Sequence, residues 1–177
     1  MLLYDLYMKT TYVIALLVAL VACMTDLKSG RIPNLLTFGA AVAALFFHAI
    51  TGRGEGLLLA SGGWAVGVAV FFLPFALGGM GAGDVKLLGA LGAWLGPTDA
   101  VWLALYSGIA GGVVALTVAI VRGYLRQALT NLWLLPTHWR ASGVGQWHEV
   151  SLVGSTGPRL AYAVPILAGT LATIWLR

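Results

Sequence analysis

Asp26 and Asp84 are the two residues of this sequence whose types and positions suggest chemistry. Each directly abuts an apolar stretch, at "CMTDLKSGRIPN" and at "GAGDVKLL". A carboxylate so close to hydrocarbon is costly unless it is paired or functional. Two carboxylates that meet share a proton and titrate as a unit, because like charges a few ångströms apart do not both ionise easily. In such a pair the ionised carboxylate activates water while the protonated one hydrogen-bonds a peptide carbonyl.

Each aspartate, taken singly, also has a structural explanation. A carboxylate in the first turn of a helix accepts free backbone N–H groups, so Asp84 can cap the helix that follows it. Asp26 can form an ion pair with Lys28 or Arg31, which follow it closely. If the aspartates instead form a pair, the helix dipole predicts that Asp84, at a helix N-terminus, is ionised. The same argument predicts that Asp26, near a helix C-terminus, holds the proton.

Two glycines precede Asp84, and a helix cap does not require them. Gly81 and Gly83 permit backbone conformations and close approaches that a side chain would block. We therefore expect a loop that brings the Asp84 carboxylate near the backbone of a substrate. The other acidic residues lie at predicted termini or loops, where a solvated carboxylate is expected; they are Asp5, Glu55, Asp99 and Glu149.

The composition places both aspartates in a membrane protein. Hydrophobic residues make up 60% of the 177 and charged residues 9%, against about 25% charged in soluble domains. We predict an all-α, polytopic membrane helical bundle that forms one domain over residues 1–177. The net charge of +4 is then explained by basic residues at the cytoplasmic face and not by nucleic-acid binding. The lone Cys23 excludes a disulfide framework and a four-cysteine zinc site.

Apolar stretches between short polar breaks predict six membrane spans, since a helix needs about 20 mostly apolar residues to cross the hydrocarbon layer. The spans are expected at 8–24, 35–50, 57–77, 85–95, 100–121 and 160–175. The start, "MLLYDLYMKT", lacks the basic leader and cleavage site of a signal peptide, so the first span is expected to be retained. The fourth span is short, and we expect it to lie against neighbours or to extend beyond the hydrocarbon.

The distribution of Lys and Arg predicts the orientation of these spans. One side carries seven basic residues, and these are Lys28, Arg31, Lys86, Arg122, Arg126, Arg140 and Arg159. The other side carries three, and these are Lys9, Arg53 and Arg177. The bias places Asp26 and Asp84 toward the cytoplasm and both termini outside.

The one long connection, at about 122–158, mixes tryptophans with arginines and histidines. Its first part, "RGYLRQALTNLWLL", is moderately amphipathic, and we predict a helix lying on the cytoplasmic membrane surface. His138 and His148 are ten residues apart with only Glu149 nearby. This is a weak pattern for a metal site, so we predict none.

Three stretches, in this order along the chain, resemble the prepilin peptidases among the GxGD membrane aspartyl proteases. "TDLKSGRIPN" carries Asp26 and, after five residues, Ile-Pro-Asn. "GAGDVKLLGALGAWLG" carries the Gly-x-Gly-Asp motif that ends at Asp84. "LAYAVPILAG" is similar to the family's Pro-Tyr-Ala-Pro ending, with Ala161 in place of the first proline. The resemblance extends from about residue 21 to residue 169.

The resemblance implies an aspartic endopeptidase that cleaves the basic leader of type IV or Flp pilin-like precursors on the cytoplasmic side of the inner membrane. It implies that Asp26 and Asp84 are the catalytic pair and that no cofactor is needed. The implied partners are a precursor protein with an apolar N-terminal helix and membrane lipid. Because the chain has one cysteine and begins almost at the first catalytic span, it looks like the short forms without N-methyltransferase activity.

Residues near the motifs are candidates for binding substrate or shaping the loops; they are Gly81, Gly83, Lys86, Arg31, Pro33 and Asn34. Helical peptide bonds are poor substrates because their carbonyls are already hydrogen-bonded. The precursor therefore has to unwind locally, and we expect the backbone of residues 81–83 to offer an edge for the extended segment. Lys86 and Arg31 are expected either to tune the aspartates or to anchor the bundle at the interface.

Two other classes of protein fit parts of the pattern. A small proton or cation transporter uses carboxylates inside the membrane, but it predicts acidic residues at mid-membrane and matching halves. Asp26 and Asp84 lie at span ends, and no repeat is visible. A non-catalytic scaffold of a secretion or pilus system needs the Gly-rich helices only for packing and tolerates Asn at both positions. A serine protease is disfavoured because the sequence has no Gly-x-Ser-x-Gly element.

Overall fold

The computed structural model describes residues 2–76, 80–123, 125 and 161–177. Within these ranges the chain forms helices and no strand, so the predicted all-α class is confirmed. The helices are α1 (Leu2–Ser29), α2 (Asn34–Ala76), α3 (Ala82–Leu95), α4 (Pro97–Val121) and α5 (Ala163–Leu176). Three of them, α1, α2 and α4, are long and apolar enough to cross a membrane. The protein is a helical membrane bundle.

The helix α2 is broken in the middle. A straight helix of 43 residues would be about 65 Å long, more than twice the thickness of the hydrocarbon layer. The break occurs at Arg53, where φ is 51° and ψ is −134°. Gly56 then lies against the carbonyl of His48 with no room for a side chain, so the chain reverses direction here. The two halves, 34–52 and 54–76, coincide with the second and third predicted spans.

The short helix α3 forms the centre of the bundle. Every residue from Leu87 to Leu95 is buried, because both halves of α2 pack against it. Lys86 contacts Asn34 in the first half of α2. The backbone of Gly92 lies so close to that of Gly63 in the second half that neither position has room for a Cβ. The neighbours therefore cover a segment that is too short to span a bilayer alone, as we expected from its length.

The end of the bundle opposite Asp84 contains an ion pair between a buried carboxylate and an exposed arginine. Asp99 is only 8% exposed, accepts a hydrogen bond from the Tyr12 hydroxyl at 3.1 Å and pairs with Arg177 at 3.4 Å. The expectation that Asp99 is a solvated loop carboxylate is therefore wrong. The Gly96 turn between α3 and α4 places Asp99 beside α1 and the end of α5, and a lone carboxylate buried there requires a partner.

A second buried polar cluster lies near the same end. His48 is 1% exposed; the Tyr7 hydroxyl hydrogen-bonds its Nδ1, and its Nε2 donates to the carbonyl of Trp94 at 3.2 Å. The indole N–H of Trp94 donates to the carbonyl of Ala40 at 3.0 Å. These buried polar groups are thus satisfied, as native cores require, and they join α1, α2 and α3.

The long connection predicted at about 122–158 lies almost entirely outside the described residues. The interfacial helix, the single domain over residues 1–177 and the absence of a metal site at His138 and His148 therefore stay predictions. The described helical segments alternate in direction, since Asp99 and Arg177 meet at one end while Asp26 and Ala163 meet at the other. The number of membrane crossings and their orientation also stay predictions.

Candidate active site

The Gly-Ala-Gly-Asp turn at the start of α3 fixes the Asp84 carboxylate. The Asp84 N–H donates to the Gly81 carbonyl at 3.1 Å, and the Gly81 N–H donates to Oδ2 of Asp84 at 3.1 Å. A Cβ on Gly81 would lie 3.1 Å from the same oxygen, which is tighter than normal packing. A side chain at position 81 would therefore press on the carboxylate. Asp84 does cap the helix as its structural explanation predicts, but only through one oxygen.

Burial perturbs the ionisation of Asp84, which precedes the first residue of the predicted fourth span. The residue is 8% exposed. Removal from water raises the pKa of its carboxyl to about 6, the bond from the Gly81 N–H opposes this rise, and the negative charge of Asp26 adds to it. The neutral acid is therefore the favoured form of Asp84 over a wider pH range than that of an ordinary aspartate.

The other carboxylate, Asp26, lies half-buried in the last turn of α1. Its carbonyl accepts the N–H of Gly30 at 2.7 Å, and Gly30 has a φ of 63°, the left-handed conformation that ends many helices. Oδ2 of Asp26 accepts the N–H of Ala163 at 3.4 Å. Within the described ranges the ion pair of Arg177 is the one present, so the explanation of Asp26 as a partner of Lys28 or Arg31 is wrong.

Three helix ends bring the two carboxylates together, namely the C-terminus of α1 and the N-termini of α3 and α5. Asp26 is close enough to Asp84 for its charge to affect the second carboxyl. Burial opposes the predicted ionisation of Asp84, however. Helix dipoles predict an ionised Asp84, but the desolvation of Asp84 outweighs the helix N-terminus and its backbone hydrogen bond. Burial therefore favours the protonated form of Asp84.

The connection between α1 and α2 covers the turn that carries Asp84. A Cβ on Gly83 would lie 3.4 Å from the side chain of Ile32, so Ile32 rests on this glycine. Lys86 donates to Oδ1 of Asn34 at 3.0 Å, and its ammonium group lies 5.3 Å from the centre of the Phe38 ring. Lys86 and Asn34 therefore shape the loops, because they tie the start of α2 to the start of α3.

Two of the predicted site residues are not brought to the aspartates. Arg31 and Pro33 are both exposed, and over the described part of the chain neither has a hydrogen bond or ion pair to Asp26 or Asp84. The carbonyl of Pro33 accepts the N–H groups of Leu36 and Thr37 at 3.1 and 3.3 Å. Pro33 thus directly precedes α2 and accepts N–H groups of its first turn.

Sequence reasoning missed two residues that the structure places at the aspartates. Ala163 donates its N–H to Asp26, and the phenol of Tyr162 interacts electrostatically with Asp84. Both belong to the stretch "LAYAVPILAG". The available signal was Pro165, because proline in the first turn is typical of a helix N-terminus, and a helix N-terminus attracts a carboxylate.

The chemical groups that the described helices bring together at this site are the carboxyl groups of Asp26 and Asp84. Within the described ranges there is no group of three His, Cys, Asp or Glu side chains that could hold a metal ion. His138 and His148 lie outside those residues. Asp26 and Asp84 differ in burial and in hydrogen bonding, which is the asymmetry that a proton-sharing aspartate pair needs.

A family of known proteins matches the part of the chain that carries both aspartates. The model of the Type IV leader peptidase family matches residues 13–116, which is more than half of the chain and includes Asp26 and Asp84. The chain belongs to this family. The match runs from residue 13, inside α1, to residue 116, inside α4, so the α5 segment with Tyr162 lies beyond it.

Two curated members of the family are similar to this chain. They are the prepilin leader peptidase/N-methyltransferase proteins of Burkholderia pseudomallei strains 1026b and K96243. Each is 34% identical over an alignment of 111 residues, and the match covers 57% of this chain and 34% of the relative. The chain thus spans about a third of the length of these relatives. No solved structure matches the chain.

Proposed function

We propose that the chain is a prepilin leader peptidase that acts as an aspartic endopeptidase, with Asp26 and Asp84 as its catalytic pair. The observation that carries the proposal is the meeting of a buried carboxyl and a half-buried carboxylate where three helix ends converge. Membership in the Type IV leader peptidase family and the names of the relatives support this reading over a scaffold or a transporter.

The asymmetry of the pair assigns a role to each aspartate. Asp26, ionised, accepts a proton from a water molecule as the water oxygen attacks the scissile carbonyl. Asp84, protonated, donates a hydrogen bond to the carbonyl oxygen on which negative charge develops. In the second half of the reaction the C–N bond breaks and a proton passes to the leaving amine, so that the pair returns to one shared proton.

The proposed substrate is a pilin-like precursor of type IV or Flp type, with a polar leader before an apolar helix. Its scissile bond has to leave the helical conformation, because helical carbonyls are already hydrogen-bonded. The backbone at Gly83, next to the side chain of Ile32, is the edge that we assign to the unwound segment. Membrane lipid surrounds the remaining apolar helix, and no nucleic acid takes part.

We further propose that cleavage occurs at the cytoplasmic face of the inner membrane and that the chain has no N-methyltransferase activity. The first proposal is supported by the Lys and Arg distribution, which places the side with Asp26 and Asp84 in the cytoplasm. The second is supported by the lone Cys23, because the resemblance associates N-methyltransferase activity with paired cysteines. We assign no cofactor or metal to the reaction.

The test is leader cleavage of a co-expressed Flp-type prepilin from the same genome, read as a mobility shift. We expect the wild type to cut and Asp26→Asn and Asp84→Asn to fail while both remain folded and membrane-inserted. Asp5→Asn, which changes an exposed carboxylate in α1, is the matched control and should cut. If Asp26→Asn and Asp84→Asn both cut like the wild type, the two carboxylates are structural. The scaffold or transporter function then replaces the peptidase function.

A further inference from the structure

The first turn of α5 faces both aspartates. Ala163 donates its N–H to Oδ2 of Asp26 at 3.4 Å, and the side chain of the preceding residue, Tyr162, interacts electrostatically with Asp84. Two consecutive residues thus meet the two members of the pair. The stretch lies beyond the matched residues 13–116.

The phenol ring of Tyr162 is held from several sides. Its Cε1 atom lies 3.4 Å from the position of a Cβ on Gly111, so α4 passes close to the hydroxyl end of the ring. The ring also packs against the buried apolar cluster that includes Val85 and Ile166. The Tyr162 carbonyl accepts the N–H of Ile166 at 3.1 Å. The backbone and ring are therefore fixed, and the hydroxyl is carried to a defined place.

Hydrogen-bonding capacity remains on both partners. In the described part of the chain, neither the Tyr162 hydroxyl nor Oδ1 of Asp84 has a hydrogen bond, whereas Oδ2 is bound by the Gly81 N–H. A tyrosine hydroxyl is both donor and acceptor, and a half-buried one usually finds a partner. Because the phenol interacts electrostatically with Asp84, the second oxygen of that carboxyl is the acceptor that we assign to it.

We propose that Tyr162 is a positioning residue of the aspartate pair, and that its hydroxyl donates a hydrogen bond to Oδ1 of Asp84 in the catalytically engaged site. The proposal rests on the proposed function, since it gives Tyr162 a part in the same reaction. With Oδ2 bound by Gly81 and Oδ1 by Tyr162, the carboxyl is held at both oxygens and faces Asp26 in one orientation. Misplacement by about 1 Å can cost about a hundredfold in rate.

The surrounding charges determine how the pair responds to pH when the hydroxyl is removed. Asp26 and the thiol of Cys23 lie on the α1 side of the pair. Lys86, on α3, is engaged by Asn34, and α4 contributes Gly111 at the phenol ring. A hydroxyl that donates to Asp84 stabilises its ionised form, so removing it keeps Asp84 protonated to higher pH.

The experiment measures kcat, KM and the pH profile of Tyr162→Phe with a purified Flp-type prepilin as substrate. Tyr106→Phe is the matched control, because Tyr106 is also half-buried but stacks on Trp102. We expect Tyr162→Phe to lower kcat about tenfold, to leave KM within about twofold, and to move the alkaline limb of the profile to higher pH. Fluorotyrosine at position 162 is a stronger donor and should move that limb to lower pH.

The inference is overturned if Tyr162→Phe and Tyr106→Phe both match the wild type, if Tyr162→Phe changes KM alone, or if fluorotyrosine moves the limb in the same direction as phenylalanine. Asp26→Asn and Asp84→Asn are measured in the same assay. If these two variants are inactive and Tyr162→Phe matches the wild type, only the role of Tyr162 fails. If the two aspartate variants cut normally, the proposed function fails first.

Discussion

The N–H of Ala163 donates to the carboxylate of Asp26 at 3.4 Å although the residues lie 137 positions apart. The local sequence explains why this donor is available. Pro165 has no N–H, and the N–H of Val164 is taken by the carbonyl of Ala161 at 3.1 Å. The start of α5 therefore directs the Ala163 N–H and the positive end of its helix dipole at Asp26. This contact supports negative charge on Asp26, whereas burial disfavours it on Asp84.

The first prediction concerns stability. The folded state raises the pKa of Asp84 from 3.8 to about 6, so folding costs free energy once the buried group is ionised. The resulting loss in the free energy of unfolding is absent below about pH 4 and grows between about pH 4 and pH 6. It is complete above about pH 6, where it is on the order of 3 kcal/mol. Asp84→Asn removes the charge and keeps an acceptor for the Gly81 N–H. We expect a higher Tm than the wild type at pH 7.5.

Thermal unfolding in detergent at pH 7.5 and at pH 4 checks this prediction. The difference in Tm should be present at pH 7.5 and nearly vanish at pH 4. Asp5→Asn changes an exposed carboxylate and should behave like the wild type at both values. A lower Tm for Asp84→Asn at pH 7.5 would show that burial of this carboxylate is not a cost.

The second prediction concerns the pH dependence of cleavage. The proposed mechanism uses the protonated form of Asp84, whose pKa is raised to about 6. As pH rises through that value, Asp84 loses its proton, so kcat/KM, which reports the free enzyme, should fall on the alkaline side. Initial rates between pH 4.5 and pH 8.5 measure how kcat/KM depends on pH. The apparent pKa values of this profile describe the coupled pair of aspartates and not one residue alone. A rate that climbs through pH 6 to a plateau would contradict the assignment.

The third prediction concerns Gly81. A Cβ at this position would lie 3.1 Å from Oδ2 of Asp84, so Gly81→Ala should push the carboxylate out of place and lower kcat by about a hundredfold. Gly112 on α4 has open space at its Cβ position, and Gly112→Ala is the control with the same chemical change. Equal kcat values for the two variants would show that Gly81 is not needed for the position of Asp84.

The fourth prediction separates Gly83 from Gly81. A Cβ on Gly83 makes only ordinary contact with Ile32, at 3.4 Å, so Gly83→Ala should keep the wild-type Tm. If an unwound substrate pairs with this edge, the added methyl group blocks its approach, and kcat/KM should fall about tenfold. Cleavage kinetics together with Tm measure both effects. Unchanged cleavage by a folded Gly83→Ala would remove this edge from the account of substrate binding.

The features that can be predicted from the sequence are those that depend on the local composition of the chain. Apolar stretches with polar breaks indicate where helices run, and carboxylates at the ends of two stretches indicate Asp26 and Asp84 as a pair. The reversal at Arg53 was also marked locally, by the glycines on either side of it. These features are visible because helix length and glycine position are properties of a few neighbouring residues.

The unpredicted part depends on packing between distant segments. Asp99 meets Arg177 across 78 positions, and no local pattern indicates that pairing. The division of roles in the aspartate pair was predicted from helix dipoles, but it depends on how deeply α3 buries Asp84. The contact of Ala163 with Asp26 depends on the placement of α5. Burial is set by the whole bundle, so a sequence alone ranks these effects in the wrong order.

The most direct test of the central claim is the kcat of purified Asp26→Asn and Asp84→Asn on a Flp-type prepilin, followed by mass spectrometry of the released leader. Asp99→Asn, a buried carboxylate at the opposite end of the bundle, is the matched control. We predict losses of at least about a thousandfold for both dyad variants, with Asp99→Asn that folds keeping kcat within about threefold of the wild type. If Asp26→Asn or Asp84→Asn keeps more than about a tenth of the wild-type kcat, catalysis by this aspartate pair is contradicted.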